Sequence, residues 1–296
     1  MALRKEITMI YNETFTLVNG IQIPKLGLGT WLMNNAEAAQ AVRDAVKLGY
    51  RHIDTAQAYE NEKGVGEGVR TCGVAREELF ITTKVAAECK SYESAAASID
   101  GSLAELGLDY IDLMIIHSPQ PWMEVNQSDN RYYKENLEAW RALEDAYKAG
   151  KIKAIGVSNF LIDDLKNIID NCEIKPMVNQ ILCHISNTPV ELVDFCNENG
   201  IQLEAYSPVA HGAVLGNEAI KAVADKYGVS IPQLCLKYDI QLGMVVIPKT
   251  ANPAHMESNA ALDFTISDED MEMLKNFEHI KDYGAHSFFP VFGGKL

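Results

Sequence analysis

The chain has 296 residues, 47% of them hydrophobic and 23% charged, a globular composition that argues against disorder. Its 26 basic residues face 41 acidic ones, for a formal net charge of −15. That field repels phosphate backbones and anionic bilayers, which excludes nucleic acid and membrane surfaces as partners and leaves any anionic ligand dependent on a local cationic cluster.

The opening "MALRKEITMIYNETF" has no uninterrupted apolar stretch behind its basic residues, so it does not read as a signal peptide. "TFTLVNGIQIPKLGLG" then alternates around Asn19-Gly20, predicting a tight-turned β-hairpin over about 14–24. From there short apolar runs alternate with amphipathic segments. "KLGLGTW" precedes "NAEAAQAVRDAVKLG", "HIDTA" precedes "NEKGVGEGVRTCG", and "LFITTKV" precedes "SYESAAASIDGSLAELGL". "YIDLMIIH", "AIGVSNF", "MVNQILC", "IQLEAYSP" and "MVVIPKT" continue the series, each with a helical segment after it. The strands are near-continuous apolar runs, as buried parallel strands are. Ala39, Val42 and Val46 show the helical spacing. Gly49, Gly107, Gly150 and Gly200 mark helix ends.

Eight strand–helix units predict an α/β fold, a (β/α)8 TIM barrel, with an open doubly wound sheet as the alternative. Such a barrel takes about 250 residues, and no Ser- or Pro-rich linker divides the chain, so 1–296 reads as one domain with a tail over about 279–296. The six cysteines, Cys72, Cys89, Cys172, Cys183, Cys196 and Cys235, form no CxxC pair. They read as reduced thiols, with no zinc or redox motif and no metal site, in a cytoplasmic protein.

In a barrel the active site lies at the C-terminal strand ends. Those ends carry Thr30-Trp31, Asp54 with Tyr59 just beyond, Lys84, His117, Ser158-Asn159, Asn179-Gln180, Tyr206-Ser207 and Lys249-Thr250. Singly each has an ordinary structural explanation, such as a helix cap or packing. Together, Asp, Tyr, Lys and His on one rim suit a single task. A phenol with pKa near ~10 is a poor acid at neutral pH. A lysine ammonium beside it favours the phenolate, and Asp54 keeps that lysine charged. A neutral histidine donates a hydrogen bond to a carbonyl oxygen. The set protonates an oxygen on which charge develops, as hydride delivery to a carbonyl requires. The glycines of "ENEKGVGEGVR" follow GxGxG spacing and come after the tyrosine loop, so they read as room for close helix packing and not as a dinucleotide fingerprint.

"GLGTW", "GYRHIDTAQAYENEKGVGEGVR", "ITTKV", "LGLDYIDLMIIH", "GKIKAIGVSNF", "VNQILCH", "AYSP" and "IPKT" together resemble the signature segments of the aldo-keto reductase family, in the family's order, from the hairpin to at least Asn259. The resemblance implies an NADPH-dependent carbonyl reductase, with NADH possible, acting as a monomer or weak oligomer on a small-molecule carbonyl. It implies that Tyr59 is the general acid, tuned by Lys84 and Asp54, and that His117 orients the carbonyl. By the same likeness Ser158, Asn159 and Gln180 hold the carboxamide, and Tyr206 stacks on the nicotinamide. Lys249 and Thr250 hold the adenosine 2′-phosphate, and Thr30, Asp54, Ser207, His255 and Asn259 complete the cofactor groove. Trp31, Tyr59, His117, Ser118 and Trp122 are implied as the substrate wall.

Three features depart from the family pattern. His255 stands where arginine usually faces the 2′-phosphate, and it lacks arginine's bidentate fork. Ser118-Pro119 replaces Trp-Pro, a lost aromatic wall that Trp122 replaces in part. "VAHGAVLGN" follows Tyr206 as a loop whose closure over the pyrophosphate the residues leave open, and the aromatic tail "HSFFPVFGGKL" is either terminal packing or a flap that brings Phe288, Phe289 or Phe292 to substrate. Two alternative functions stay open on the residues alone: a lyase using Lys84 as a Schiff base, and a cofactor-sensing regulatory subunit.

Overall fold

A computed structural model of the chain describes residues 9–287 together with Val291. The hairpin pairs β1 (Thr14–Thr16) with β2 (Gln22–Pro24) in antiparallel register, Thr16 opposite Gln22. Its turn is tight and glycine-closed, as expected. Leu17 N–H donates to Ile21 O, and of Asn19-Gly20 only the glycine takes a positive φ, 87°. The loop is three residues long, closed by a glycine in the left-handed region.

Eight parallel strands follow: β3 (Gly27–Gly29), β4 (His52–Asp54), β5 (Phe80–Val85), β6 (Ile111–Ile116), β7 (Ile152–Ser158), β8 (Val178–Leu182), β9 (Gln202–Tyr206) and β10 (Val245–Val246). Each pairs with the next. Bridges from Leu26 to Val246 and from Gly29 to Lys249 draw β10 back against β3 and close the ring. The (β/α)8 barrel is the observed architecture. The alternating apolar runs identify it because strands buried on both faces have nowhere to place solvated side chains.

Helices α1 (Asn35–Leu48), α2 (Glu62–Thr71), α3 (Tyr92–Leu106), α4 (Tyr133–Lys148), α5 (Ile162–Asn171), α6 (Val190–Glu198), α7 (Glu218–Tyr227), α8 (Ile231–Gln241) and α9 (Pro253–Ala260) lie between or after the strands. Their starts are chemically marked. Asn34 accepts from Glu37 N while Glu37 answers on Asn34 N, and Ser230 and Gln233 repeat the exchange ahead of α8, satisfying the orphan amides of the first turn. Gly49 and Gly107 cap α1 and α3; Gly150 and Gly200 fall one residue beyond their caps, Ala149 and Asn199. One helix, α10 (Asp268–Lys275), lies outside the expected series.

The glycines of α2 do serve close packing. A Cβ on Gly64 would overlap the backbone of Asn35 in α1, and one on Gly66 the carbonyl of Leu106 in α3. This near-contact seats α2 tightly and fixes the loop before it, where Tyr59 lies. Among the described residues no helix is long and apolar enough to cross a membrane.

Candidate active site

The interior of the barrel is built from alternate strand residues, which point inward at every second position. On β4 these are His52 and Asp54, on β5 Thr82 and Lys84. Lys84 Nζ donates to both oxygens of Asp54, at 2.7 and 2.8 Å, and to the Thr55 carbonyl at 2.7 Å. All three ammonium hydrogens are therefore spent inside a lysine that is 0% exposed. The Schiff-base lyase finds no support here, because a nucleophilic amine needs an open lone pair and Lys84 has no hydrogen or face to spare.

Burial raises the Asp54 carboxyl, and Lys84 and Gln180 oppose the rise. Such a pair holds only while both partners stay, since either one alone is a buried, uncompensated charge.

Tyr59 ends a short 3-10 turn, Gln57–Tyr59, placed by α2. Its ring lies with the Lys84 ammonium 5.0 Å from its centroid and the His117 ring 5.7 Å away, edge on. The expectation that Lys84 lowers the Tyr59 pKa is reversed. Burial pushes the phenol well above its ordinary value, and the nearby Asp54 and Glu204 carboxyls push it further. Burial is the main cause, and because Asp54 already meets the lysine charge on both oxygens, the phenol gains little from that cation.

His117, at the end of β6, is held neutral: burial lowers its pKa well below the ordinary imidazole value, with the Lys84 charge contributing. Its Nδ1 is buried without a partner. Trp122, from the loop that follows, packs its ring 4.8 Å from His117.

Beside this group, Ser158 Oγ donates to Gln180 O, Asn159 Nδ2 donates to His117 O and Ser158 Oγ, and Tyr206 OH donates to Asn159 Oδ1 at 2.6 Å. Gln180 Nε2 lies 2.8 Å from both Asp54 Oδ2 and Glu204 Oε2. Ser158, Asn159, Gln180 and Tyr206 are thus one connected surface against Asp54.

Farther round the mouth, Lys249 is exposed beside the end of β3, Thr250 Oγ1 accepts from Asn252 N, and His255 and Asn259 sit on α9, exposed and buried respectively. Lys249 has no carboxylate partner among the described residues. A cation kept unpaired in so acidic a chain suits the phosphate end of an anionic cofactor.

The remaining expected positions are less open. Thr30 and Ser118 are each 0% exposed. Thr30 Oγ1 donates to Asp54 O, and Ser118 Oγ accepts from Gln120 N while its carbonyl takes a hydrogen from Lys90. Their hydroxyls are committed to the protein. Ser207 Oγ is 3.0 Å from His211 Nε2. His211 stacks on His286 of the tail at 4.2 Å, and both rings pack near Trp31, at 5.5 and 5.6 Å. The tail therefore reaches the mouth; Phe288, Phe289 and Phe292 lie outside the described residues.

Sequence reading missed Glu204 and His52. Both are completely buried in the barrel, His52 Nε2 lying 2.9 Å from Thr82 Oγ1 and 3.5 Å from Glu204 Oε1. Burial pushes His52 down to about 3 and Glu204 up to about 8, Asp54 adding to the latter. The available signal was a charged residue inside the apolar run "IQLEAY", two positions before Tyr206 and so on the same inward face. No cluster of three or more His, Cys, Asp or Glu side chains that could hold a metal ion is found among the described residues.

A parallel barrel that gathers a phenol, a neutral imidazole and a carboxylate-held ammonium at its mouth belongs to the class of carbonyl oxidoreductases. The relatives give the family. Residues 25–279 match the family model described as Aldo/keto reductase family. The chain is 46% identical over 264 residues to a glyoxal reductase of Bacillus subtilis, covering 88% of this chain and 91% of that one. It is 36% identical over 281 residues to a methylglyoxal reductase of Salmonella typhimurium, covering 94% and 97%. Its fold matches an aldo-keto reductase of the silkworm Bombyx mori, solved in complex with NADPH, with a TM-score of 0.82 and 35% identity over 93% of this chain and 89% of that one. The chain belongs to the aldo/keto reductase family, and it is an enzyme that interconverts carbonyl and alcohol.

Proposed function

We propose that this reductase acts on small α-oxoaldehydes of the glyoxal and methylglyoxal type, with NADPH as reductant and Tyr59 as general acid. The observation that carries the acid assignment is a contrast in hydrogen bonding. Asp54, Lys84, Asn159 and Gln180 are tied to one another or to backbone. Among the described residues the Tyr59 hydroxyl and the His117 ring, side by side above them, have no hydrogen-bond partner. They are the groups left to meet a carbonyl oxygen.

The residues fit a nicotinamide cofactor. The side-chain oxygen of Gln180 accepts nothing from the described residues while its nitrogen is fully used, so it is available to an amide N–H. Tyr206, fixed by Asn159, offers a ring for stacking, and Lys249 with Thr250 offers a charge and a hydroxyl to a phosphate. His255 and Asn259 extend that end along α9. The bound cofactor supplies the hydride.

His117, kept neutral, donates to the carbonyl oxygen and aims it at Tyr59. The phenol, protonated throughout the neutral range, gives up its proton as charge builds on that oxygen. The Lys84 charge, 5.0 Å from the ring centroid, favours the developing phenolate through space, and Asp54 holds Lys84 in place. Trp122, packed on His117, flanks the proposed carbonyl position, and the relatives are named for short aldehydes.

Asp54, Tyr59, Lys84 and His117 come from one chain, which supports action as a monomer. The six free cysteines support a reducing, cytoplasmic setting. Replacing Tyr59 by Phe tests the acid: kcat for methylglyoxal should fall by roughly 10²- to 10⁴-fold, while NADPH still quenches the protein's fluorescence with unchanged affinity. Near-normal turnover would remove Tyr59 from the mechanism.

A further inference from the structure

Glu204 is the most deeply buried acid in contact with the site, and no step above uses it. It is 0% exposed on β9, so substrate cannot reach it. Its Oε2 lies 2.8 Å from Gln180 Nε2, and the same nitrogen lies 2.8 Å from Asp54 Oδ2. A primary amide carries two N–H groups. Here one points to a carboxyl from β4 and the other to a carboxyl from β9.

The reversed amide would set its oxygen against Asp54, an anion already gripped by Lys84, and would forfeit the hydrogen bond to it in a dry interior. A single anchor would leave the amide plane free to swing about that bond. Two anchors on separate strands fix it. Glu204 does this best as a neutral acid, since a second carboxylate beside Asp54 is disfavoured, and burial with Asp54 nearby holds its proton on.

We propose that Glu204 is a positioning residue that, together with Asp54, locks the Gln180 amide with its nitrogen inward and its oxygen toward the barrel mouth, so that the site selects a cofactor whose ring substituent offers an N–H donor. The inference rests on the reading that Gln180 meets the nicotinamide carboxamide. Glu204 contributes an acceptor oxygen and not a charge, which makes Glu204→Gln a conservative replacement and Glu204→Leu a disruptive one.

The test compares binding of NADPH with that of its acetylpyridine analogue, in which a methyl group stands in place of the carboxamide amino group, by quenching of protein fluorescence. The wild type should bind NADPH at least about tenfold more tightly than the analogue, the worth of one well-placed hydrogen bond. Glu204→Leu should bring that ratio to about threefold or less, and Glu204→Gln should leave it within about twofold of the wild type. Glu204→Met replaces Glu204→Leu if the latter does not fold. An unchanged ratio in Glu204→Leu or Glu204→Met, or a ratio lost equally in Glu204→Gln, overturns the role of Glu204 while the Gln180 reading stands. A wild type indifferent to the amino group overturns both.

Discussion

At the inner ends of β4, β5, β8 and β9, Asp54, Lys84, Gln180 and Glu204 are at most 2% exposed, and each is bonded to another of the four. At the lip, Trp31, Trp122, Thr250, Lys249 and His255 stand half or fully exposed, on loops and on α9. The interior group is fixed by strand register: Asp54 lies opposite Thr82 and Gln180 opposite Glu204, so no side chain can shift without the sheet. The lip group hangs on connecting segments that tolerate change. The contrast implies that substitutions inside should damage folding and chemistry together, whereas those at the lip should alter which ligand binds and leave the fold alone.

The most severe break comes from Lys84→Met, which strands Asp54 in the barrel with no cation. Loss of one partner from a buried pair costs about 3–5 kcal/mol, to be read as a lower urea midpoint, and carbonyl reduction should disappear with it. Removing both charges in Asp54→Leu/Lys84→Met should recover much of the stability and none of the activity. Full stability in Lys84→Met alone would mean that Asp54 is neutral in the folded protein, and the interior would then lose the ion pair on which the contrast depends.

A comparable effect, spread across a pH window, sharpens the interior half. Folded, Glu204 keeps its proton up to about 8; unfolded, it releases it near the ordinary ~4.3. Between these values the folded chain binds the extra proton, so this contribution is complete at low pH and is lost as pH rises. Glu204→Gln does not titrate. Relative to the wild type it should gain about 1.4 kcal/mol of stability per pH unit from about pH 5 to about pH 8, measured by urea unfolding at fixed pH values. Parallel curves for the two proteins would show that Glu204 is ionised when folded.

The same contrast governs how much was legible in the sequence. Asp54, Lys84, His117 and Ser158 each close an apolar run, and a polar residue at a strand end is conspicuous because the barrel places ligands there. Glu204 lies within its run, where one charge among "IQLEAY" passes as strand patterning unless the inward face is counted. The pKa of Tyr59 went the other way chiefly because burial is a three-dimensional fact: sequence shows that a lysine is available, but neither how deeply the phenol is enclosed nor that a carboxylate has already claimed the lysine. Helix α10 begins at Ser267, whose side chain accepts from Asp270 N, a cap signal that the eight-unit rhythm overshadowed. The Asn19-Gly20 turn was legible as a turn, while its length depended on the pairing of Leu17 with Ile21.

His255→Arg tests the lip half and should have the smallest effect. His255 is exposed on α9, so folding should be unaltered. Arginine would bring a permanent charge and a planar fork to the proposed 2′-phosphate position, where the imidazole has no such fork. At a solvated position that gain is about 1 kcal/mol, roughly a fivefold tighter binding of NADPH with NADH unaffected. Because the gain is ionic, raising the salt concentration should erase most of it. A shift that appears equally for NADH would place the new charge near the pyrophosphate common to both cofactors. No shift for either would put His255 away from the groove, and the phosphate end would then rest on Lys249 and Thr250 alone.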